Sequence, residues 1–368
     1  MSTKSKAVVC RDWTKPIEVE EIEVDSPQAN QVLIKMEAIG VCHSDLSASN
    51  GTMPIPPPLV LGHESCGRIV EVGEGVSEAA VGDKVIPSWI PSCGHCRFCA
   101  EGRAVLCDDW AKSFFGPKDG TRPVKDSSGN LLAAMSGVGV MSEYAILHKD
   151  NIIKIDPEVP SDKAALVGCG VMTGVGAVFN RARVKPGSSC AVIGAGGVGL
   201  NVIQGCAIAG AETIVAVDMV DKKLEFAQQF GATHTVNPST DGDAVGQIQQ
   251  ITGGGADYAF EVIGLGATIA QTYQAVRKGG TAVIIGVPKM TEMLQLPAAT
   301  IWMEEKVLMG STYGSGQPKQ DIPNLIKLYQ RGRLKLDELV TATYSIDEAP
   351  RAFEDLEKGV NARGVIVL

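Results

Sequence analysis

No run of about eighteen apolar residues occurs in this sequence, so nothing in it is expected to span a bilayer. A secretory leader is not visible either: Met1 to Cys10 is polar, carries two lysines and lacks an apolar stretch. Basic charge is in deficit. The net charge of −9 argues against a general nucleic-acid surface and against anionic membranes, while saying nothing about a small neutral substrate. Internal repeats and low-complexity tracts are missing. Ten cysteines are spread along a long chain without a leader, a setting that favours metal binding or catalysis over a disulfide framework. The expected compartment is therefore reducing, the cytoplasm.

What is present is an ordinary globular composition, 45% apolar and 20% charged over 368 residues. That length suggests roughly two or three domains at about 150 residues each. The first third reads as short strands, at Ala7–Cys10, Glu18–Val24, Val32–Ala38, Ile69–Val72 and Lys84–Pro87, separated by Gly, Pro and Asp turns. Such a pattern points to an all-β, barrel-like domain. Near residue 170 the pattern changes. Apolar runs at Cys190–Gly194, Thr213–Asp218, Tyr258–Val262, Gly280–Gly286 and Val307–Met309 alternate with helical stretches at Leu200–Ala209 and Lys222–Phe230. Strand and helix in alternation predict a parallel, doubly wound sheet. A helix at Asn324–Arg331 and strands up to Val365–Leu368 follow, and this tail is expected to return to the first domain.

Cys93, Cys96, Cys99 and Cys107 follow the spacing C-x2-C-x2-C-x7-C. Four thiolates this close favour tetrahedral zinc in a closed, structural site. An iron–sulfur cluster and a zinc-ribbon DNA module use similar spacings. His95, between two of these cysteines, reads as solvated. Cys42, His63 and Cys169 would convince singly of nothing, since lone buried cysteines are usually packing. Together they supply two Cys and one His, the ligand set of a catalytic zinc with its fourth place open. An alcohol at the open place would lose its proton near neutral pH, and the resulting alkoxide would push hydride onto a nicotinamide.

Gly194-Ala195-Gly196-Gly197-Val198-Gly199 matches G-x-G-x-x-G between an apolar strand and a helix, and a second strand ends at Asp218. This is the context a dinucleotide fingerprint requires. Asp218 can accept bonds from ribose hydroxyls and would repel a 2′-phosphate, which favours NAD over NADP.

Taken in order, GVCHSD, GHE, the four-cysteine lobe, GCGVMTG, GAGGVG and the VAVD strand end resemble the zinc-dependent medium-chain alcohol dehydrogenase family over essentially the whole chain. The resemblance implies a GroES-like β-rich catalytic domain with a structural zinc lobe, over 1–170 and 313–368, interrupted by a Rossmann NAD-binding domain over 171–312. It implies an NAD-linked dehydrogenase with two zinc ions per chain. Cys42, His63 and Cys169 match the catalytic zinc ligands, and Cys93, Cys96, Cys99 and Cys107 the structural ones. Glu64 matches a carboxylate that can approach the metal, Asp45 the partner of the ligand histidine, and Ser44 the hydroxyl that takes the alcohol proton. His43, Thr173, Lys223 and Arg363 match cofactor contacts, together with Gly194, Gly196, Gly197, Val198, Gly199 and Asp218.

The sequence departs from the family at three places. Ser47 stands where many members carry the histidine that ends the proton relay. Leu265 replaces an arginine found over the adenine in some members. Ala111 replaces the arginine of glutathione-dependent formaldehyde dehydrogenases, which weakens the reading as an S-hydroxymethyl thiol-adduct enzyme. A polyol dehydrogenase is a further alternative, weakened by Cys169, where polyol members often carry Glu. Trp89 and Met135 match pocket-wall positions, so an apolar primary or secondary alcohol and its carbonyl product are the expected small-molecule partners. The long segment before Met141 resembles the dimeric members, and Val307–Met309 lies where that family pairs sheets in a homodimer. Cys10, Cys66, Cys190 and Cys206 fall on apolar patterns and read as packing.

Overall fold

The computed structural model describes residues 2–368. Two compact units divide the chain: residues 1–169 with 317–332 and 336–368 form the first, and residues 170–316 with 333–335 the second.

The spine of the first unit is Gln31–Val41, an eleven-residue strand. Along one edge it pairs antiparallel with Ser65–Val72, and its first residues also pair with Tyr144–His148, Gln31 opposite His148. Its last residues pair with Arg363–Val367, Val41 opposite Gly364. The expected strand ends at Ala38. The real one runs on to Val41 because a partner from the far end of the chain supplies its hydrogen bonds, which no local pattern announces. The strand thus delivers Arg363 beside Cys42. A five-stranded sheet, ordered Val124–Asp126, Glu18–Val24, Thr3–Cys10, Leu59–Val60 and Ala133–Ala134, completes the β-rich body. Ile34, Met36, Ile39, Leu61, Ile69 and Val85 are all but fully buried in its core.

The second unit is a six-stranded parallel sheet. In spatial order its strands are His234–Val236, Thr213–Val217, Ser189–Ile193, Ala256–Glu261, Val276–Ile284 and Val307–Gly310. Strand order therefore reverses between Ser189–Ile193 and Ala256–Glu261, the switch point where doubly wound sheets take ligands at the strands' carboxyl ends. Cys190 to Ile193 and Ile214 to Val217 are continuous buried runs, as strands covered on both faces require.

Several expected boundaries shift. The helix expected from Asn324 starts six residues earlier and spans Pro318–Gln330, with Pro318 at its first turn and Pro323 inside it. An internal proline ordinarily disfavours continuing a helix. The apolar face of Ile322, Leu325 and Ile326 overrides it by packing into the core. The continuous helical run Ser161–Ala182 has mean hydropathy 1.3 over its most apolar window, long and apolar enough to cross a membrane, but 78% of that window is buried inside the protein. Its apolarity is that of a core helix. It also contains two π-helical turns, Val167–Val171 and Ala177–Ala182.

Candidate active site

Three elements of the first unit bring Cys42, His63 and Cys169 together. Cys42 caps the helix His43–Ser49. His63 follows Gly62, which adopts a left-handed φ of +96°, and an alanine there would set its Cβ 2.2 Å from the Met141 backbone nitrogen. Only glycine permits that approach. Cys169 projects from the π-helical turn Val167–Val171, a distortion often found at functional sites. All three side chains are buried, and their ligand atoms lie within 4.8 Å of one another. His63 Nε2 is 3.2 Å from Cys169 Sγ.

The ring of His63 is oriented by Asp45, whose Oδ1 accepts from Nδ1 at 3.0 Å. The same fully buried carboxylate accepts the Gly62 and Cys42 backbone N–H groups at 3.1 and 3.2 Å. With Nδ1 turned to Asp45, Nε2 faces the two sulfurs, the orientation a metal ligand needs. The thiols polarise each other. Cys42 is held well below the ordinary thiol pKa by the Cys169 hydrogen bond and, against the effect of burial, by His63. Cys169 is pushed well up by Cys42 and by burial. Two buried thiols and an imidazole converging on one point, with one thiol already inclined to ionise, fit a divalent cation of borderline softness.

Glu64 is fully buried and forms a buried ion pair with Arg363. An alanine at Gly40 would bring its Cβ to 2.7 Å from the Glu64 carboxylate, so that glycine makes room for the pair. Arg363 Nε has no hydrogen-bond partner among the described residues. The residue expected at a cofactor thus stands beside the ligand set, and its partnership with Glu64 is new relative to the sequence reading. Ser44 is partly buried and His43 exposed in the first turn after Cys42.

The second cluster is a separate lobe. Cys93, Cys96, Cys99 and Cys107 place their sulfurs within 4.8 Å of one another. Backbone N–H groups of Cys96 and Cys99 donate to the sulfurs of Cys93 and Cys96 at 3.3 and 3.4 Å. Such bonds, that of Asp108 foremost, draw the Cys96 thiol down to about 6. Burial pushes Cys107 up to about 12. His95 turns its Nδ1 to the Cys93 carbonyl, 3.0 Å away, and stays exposed. This donor set fits a closed four-sulfur metal site.

In the second unit the loop Gly194–Gly199 opens the helix Gly197–Ala209 at the carboxyl end of Ser189–Ile193. Gly194 has φ +105°. A Cβ at Gly196 would meet nothing within 4 Å, leaving backbone open to approach, whereas at Gly199 it would strike the Gly194 carbonyl at 1.9 Å. These are the turn, approach and packing roles of a phosphate-binding loop. Asp218 accepts the Ala195 and Val220 backbone N–H groups at 2.9 and 3.1 Å, so it also braces the loop it faces. Lys223 lies in the next helix, Asp221–Gln229, and Thr173 in the helical turn Met172–Gly176; both are partly buried.

Beside the ligand set, Trp89 meets His63 edge-on at 6.4 Å between ring centroids, and Met135 is buried in the same apolar cluster. The remaining cysteines, Cys10, Cys66, Cys190 and Cys206, are all buried. Burial raises the Cys66 thiol to about 12, as inert packing residues require.

Two family models match: an alcohol dehydrogenase GroES-like domain over residues 28–157 and a zinc-binding dehydrogenase domain over 197–331. An NDMA-dependent alcohol dehydrogenase of Amycolatopsis methanolica is 40% identical over 99% of both chains. The chain belongs to the zinc-dependent medium-chain alcohol dehydrogenase family. Solved relatives agree along the full length. An alcohol dehydrogenase zinc-binding domain protein from Burkholderia ambifaria superposes with TM-score 0.95 at 34% identity, covering 100% of each chain. The benzyl alcohol dehydrogenase of Acinetobacter calcoaceticus gives 0.92 at 34%, over 100% of this chain and 99% of its own. The chain is thus an oxidoreductase of the alcohol dehydrogenase type, with a GroES-like domain and a Rossmann domain.

Proposed function

We propose that the protein is a zinc-dependent, NAD-linked dehydrogenase that interconverts apolar primary or secondary alcohols with their carbonyl compounds. The observation that carries this reading is the convergence of Cys42, His63 and Cys169 at a buried point whose histidine ring is oriented by Asp45. Those three residues would hold a catalytic zinc, and Cys93, Cys96, Cys99 and Cys107 a structural one. A zinc ion at the first site supplies a Lewis acid that eases loss of a hydroxyl proton and polarises a carbonyl. The chain's own residues do the rest. Ser44, two residues from Cys42, accepts the hydroxyl proton and passes its own onward; Ser47 offers no imidazole at the next turn to receive it. A bound nicotinamide would supply the hydride acceptor, so that one hydride and one proton would leave the alcohol. Gly194, Gly196, Gly197, Val198 and Gly199 seat the pyrophosphate at the helix N-terminus, and Asp218 takes the ribose hydroxyls. His43, Thr173, Lys223 and Arg363 are the further cofactor contacts. Trp89 and Met135 favour apolar over polyol substrates, and the likeness to a benzyl alcohol dehydrogenase supports that preference.

The test is NADH formation by zinc-replete enzyme with benzyl alcohol and hexanol, beside sorbitol and formaldehyde plus glutathione. Parallel arms use NADP and, because one relative is NDMA-dependent, NDMA as acceptor. Turnover of the plain alcohols with NAD, at least about tenfold better than with NADP, is expected from Asp218. Turnover with NDMA alone would overturn free NAD as the acceptor, and turnover of the thiol adduct alone would move the enzyme to the formaldehyde branch.

We also infer a homodimer, active in the cytoplasm. The strand Val307–Gly310 ends its sheet, with Val307 and Leu308 exposed, and the preceding helix Ala298–Glu304 leaves Trp302 80% exposed. An apolar sheet edge of this kind needs a cover. Light scattering should give twice the 38.6 kDa chain mass; a monomer would overturn the inference.

A further inference from the structure

Between the first two cysteines of the four-sulfur lobe the chain turns sharply. Gly94 adopts φ +80°, a left-handed angle that other residues resist, and a Cβ there would meet nothing within 4 Å. The turn brings His95 back to Cys93, and the ring's Nδ1 bonds the Cys93 carbonyl at 3.0 Å. A bond from one ring nitrogen to a backbone carbonyl is the usual way a ligand histidine is held, with the other nitrogen left for a metal.

Asp109, just beyond the last lobe cysteine, reaches the same point. A ring nitrogen of His95, a carboxylate oxygen of Asp109 and the sulfur of Cys93 lie within 4.8 Å of one another. Asp109 is held from two sides: its carbonyl accepts from Ser113 Oγ at 3.0 Å, and its Oδ2 accepts from Lys118 Nζ at 3.2 Å. Its Oδ1 accepts from Lys112 at 2.8 Å, a lysine whose side chain is 66% exposed. A carboxylate has about four lone-pair sites, so two ammonium partners do not exhaust it. An exposed ion pair contributes little and yields readily to a stronger cation. Cys93 and Asp109 are partly exposed and His95 fully so, whereas Cys107 is buried. This edge of the lobe opens to solvent.

The geometry points to a second metal site on the lobe, a peripheral zinc held by Cys93, His95 and Asp109. It rests on the reading of the four cysteines as a structural zinc site, whose Cys93 sulfur it shares: a thiolate bound to one zinc keeps lone pairs for another. Charge favours the arrangement. One zinc among four thiolates leaves negative charge unneutralised, and Asp109 adds to it. Lys112 and Lys118 offset this only in part, since Lys118 is shared with Asp150. The donor set selects the ion. One sulfur, one nitrogen and one oxygen suit zinc, with water in the fourth place. Magnesium and calcium take oxygen donors, and copper(I) prefers soft ones. The peripheral zinc is the weaker of the two, because it has three protein ligands, faces water and displaces Lys112. It empties when the protein is desalted.

The probe is zinc itself, titrated calorimetrically into desalted holoenzyme with an excess of magnesium present. Wild type should take up one further zinc per chain. His95→Ala and His95→Gln should each weaken that uptake at least about tenfold, with the tightly held zinc and Tm unchanged. His234→Ala removes another exposed histidine and should leave it within about twofold. Cadmium-113 loaded at both sites should give two lobe resonances coupled through the shared sulfur, a coupling that vanishes in His95→Ala. No further zinc in wild type, equal affinity in wild type and the His95 variants, an equal loss in His234→Ala, or uncoupled lobe resonances would each overturn the proposal. Alcohol oxidation enters none of these readouts, so failure of the activity leaves the test intact. If Cys107→Ser keeps all of the tightly held zinc, the structural-zinc reading fails by itself. The same titration then decides the peripheral site: a zinc ion that depends on His95 sustains it, and none overturns it.

Discussion

Replacing His63 with asparagine should reduce alcohol oxidation by at least about a thousandfold while leaving the protein folded. The magnitude follows from the place of His63 in the site. It is one of three side chains converging on the candidate metal site, and the only imidazole among them. Asparagine keeps an amide donor that can point at Asp45, so the buried carboxylate is not left facing an empty space. What is lost is the imidazole nitrogen between the two sulfurs. Metal analysis should fall from two zinc ions per chain to one, and Tm should shift by only a few degrees. Full zinc content together with full activity would sink the assignment of the ligand set. Cys169→Ser is the companion variant, because it removes a sulfur without disturbing the bond between His63 and Asp45.

Opening the other cluster should act on stability before chemistry. In Cys107→Ser the lobe loses the one ligand that is fully buried and farthest along the sequence. Zinc sites of this type contribute folding free energy outright, up to about 10–16 kcal/mol in isolated zinc-finger peptides. Here the lobe is also held by the ion pairs of Lys118 with Asp109 and Asp150, so the expected loss is smaller. A loss of about 3–5 kcal/mol corresponds to a fall in Tm of roughly 6–20 °C for a unit of this size. Differential scanning calorimetry with and without a chelator measures it, and chelator-treated wild-type protein should approach the variant. Identical melting of variant and wild type would mean that the cluster holds no structural metal.

How much of this could be read before any coordinates is uneven, and the reasons are physical. The four-cysteine lobe and the glycine loop are local: their chemistry depends on residues a few positions apart, so spacing alone announces them. Cys42, His63 and Cys169 are far apart in sequence, and only their order along the chain, matched to a family, brought them together. The pairing of Glu64 with Arg363 was not legible at all. It exists because Arg363–Val367 pairs with the end of Gln31–Val41, a contact between opposite ends of the chain. Two-residue strands such as Leu59–Val60 and Ala133–Ala134 are too short to carry a period of two. Asp218 was singled out for its charge, but its bracing of Ala195 and Val220 comes from backbone geometry that composition does not encode.

The π-helical turn at Val167–Val171 has a consequence for how this site can be lost. A π turn is an α-helix with one residue too many, and removing that residue would rotate every following side chain of the helix by about 100°. Cys169 sits inside the excess. In a descendant that no longer needed the metal, nothing would hold the surplus residue in place, and the helix would relax by dropping it. Loss of function in this lineage should therefore be written as a one-residue gap near position 169 as often as a substitution of the cysteine, a mark that outlasts later mutation of the ligands themselves.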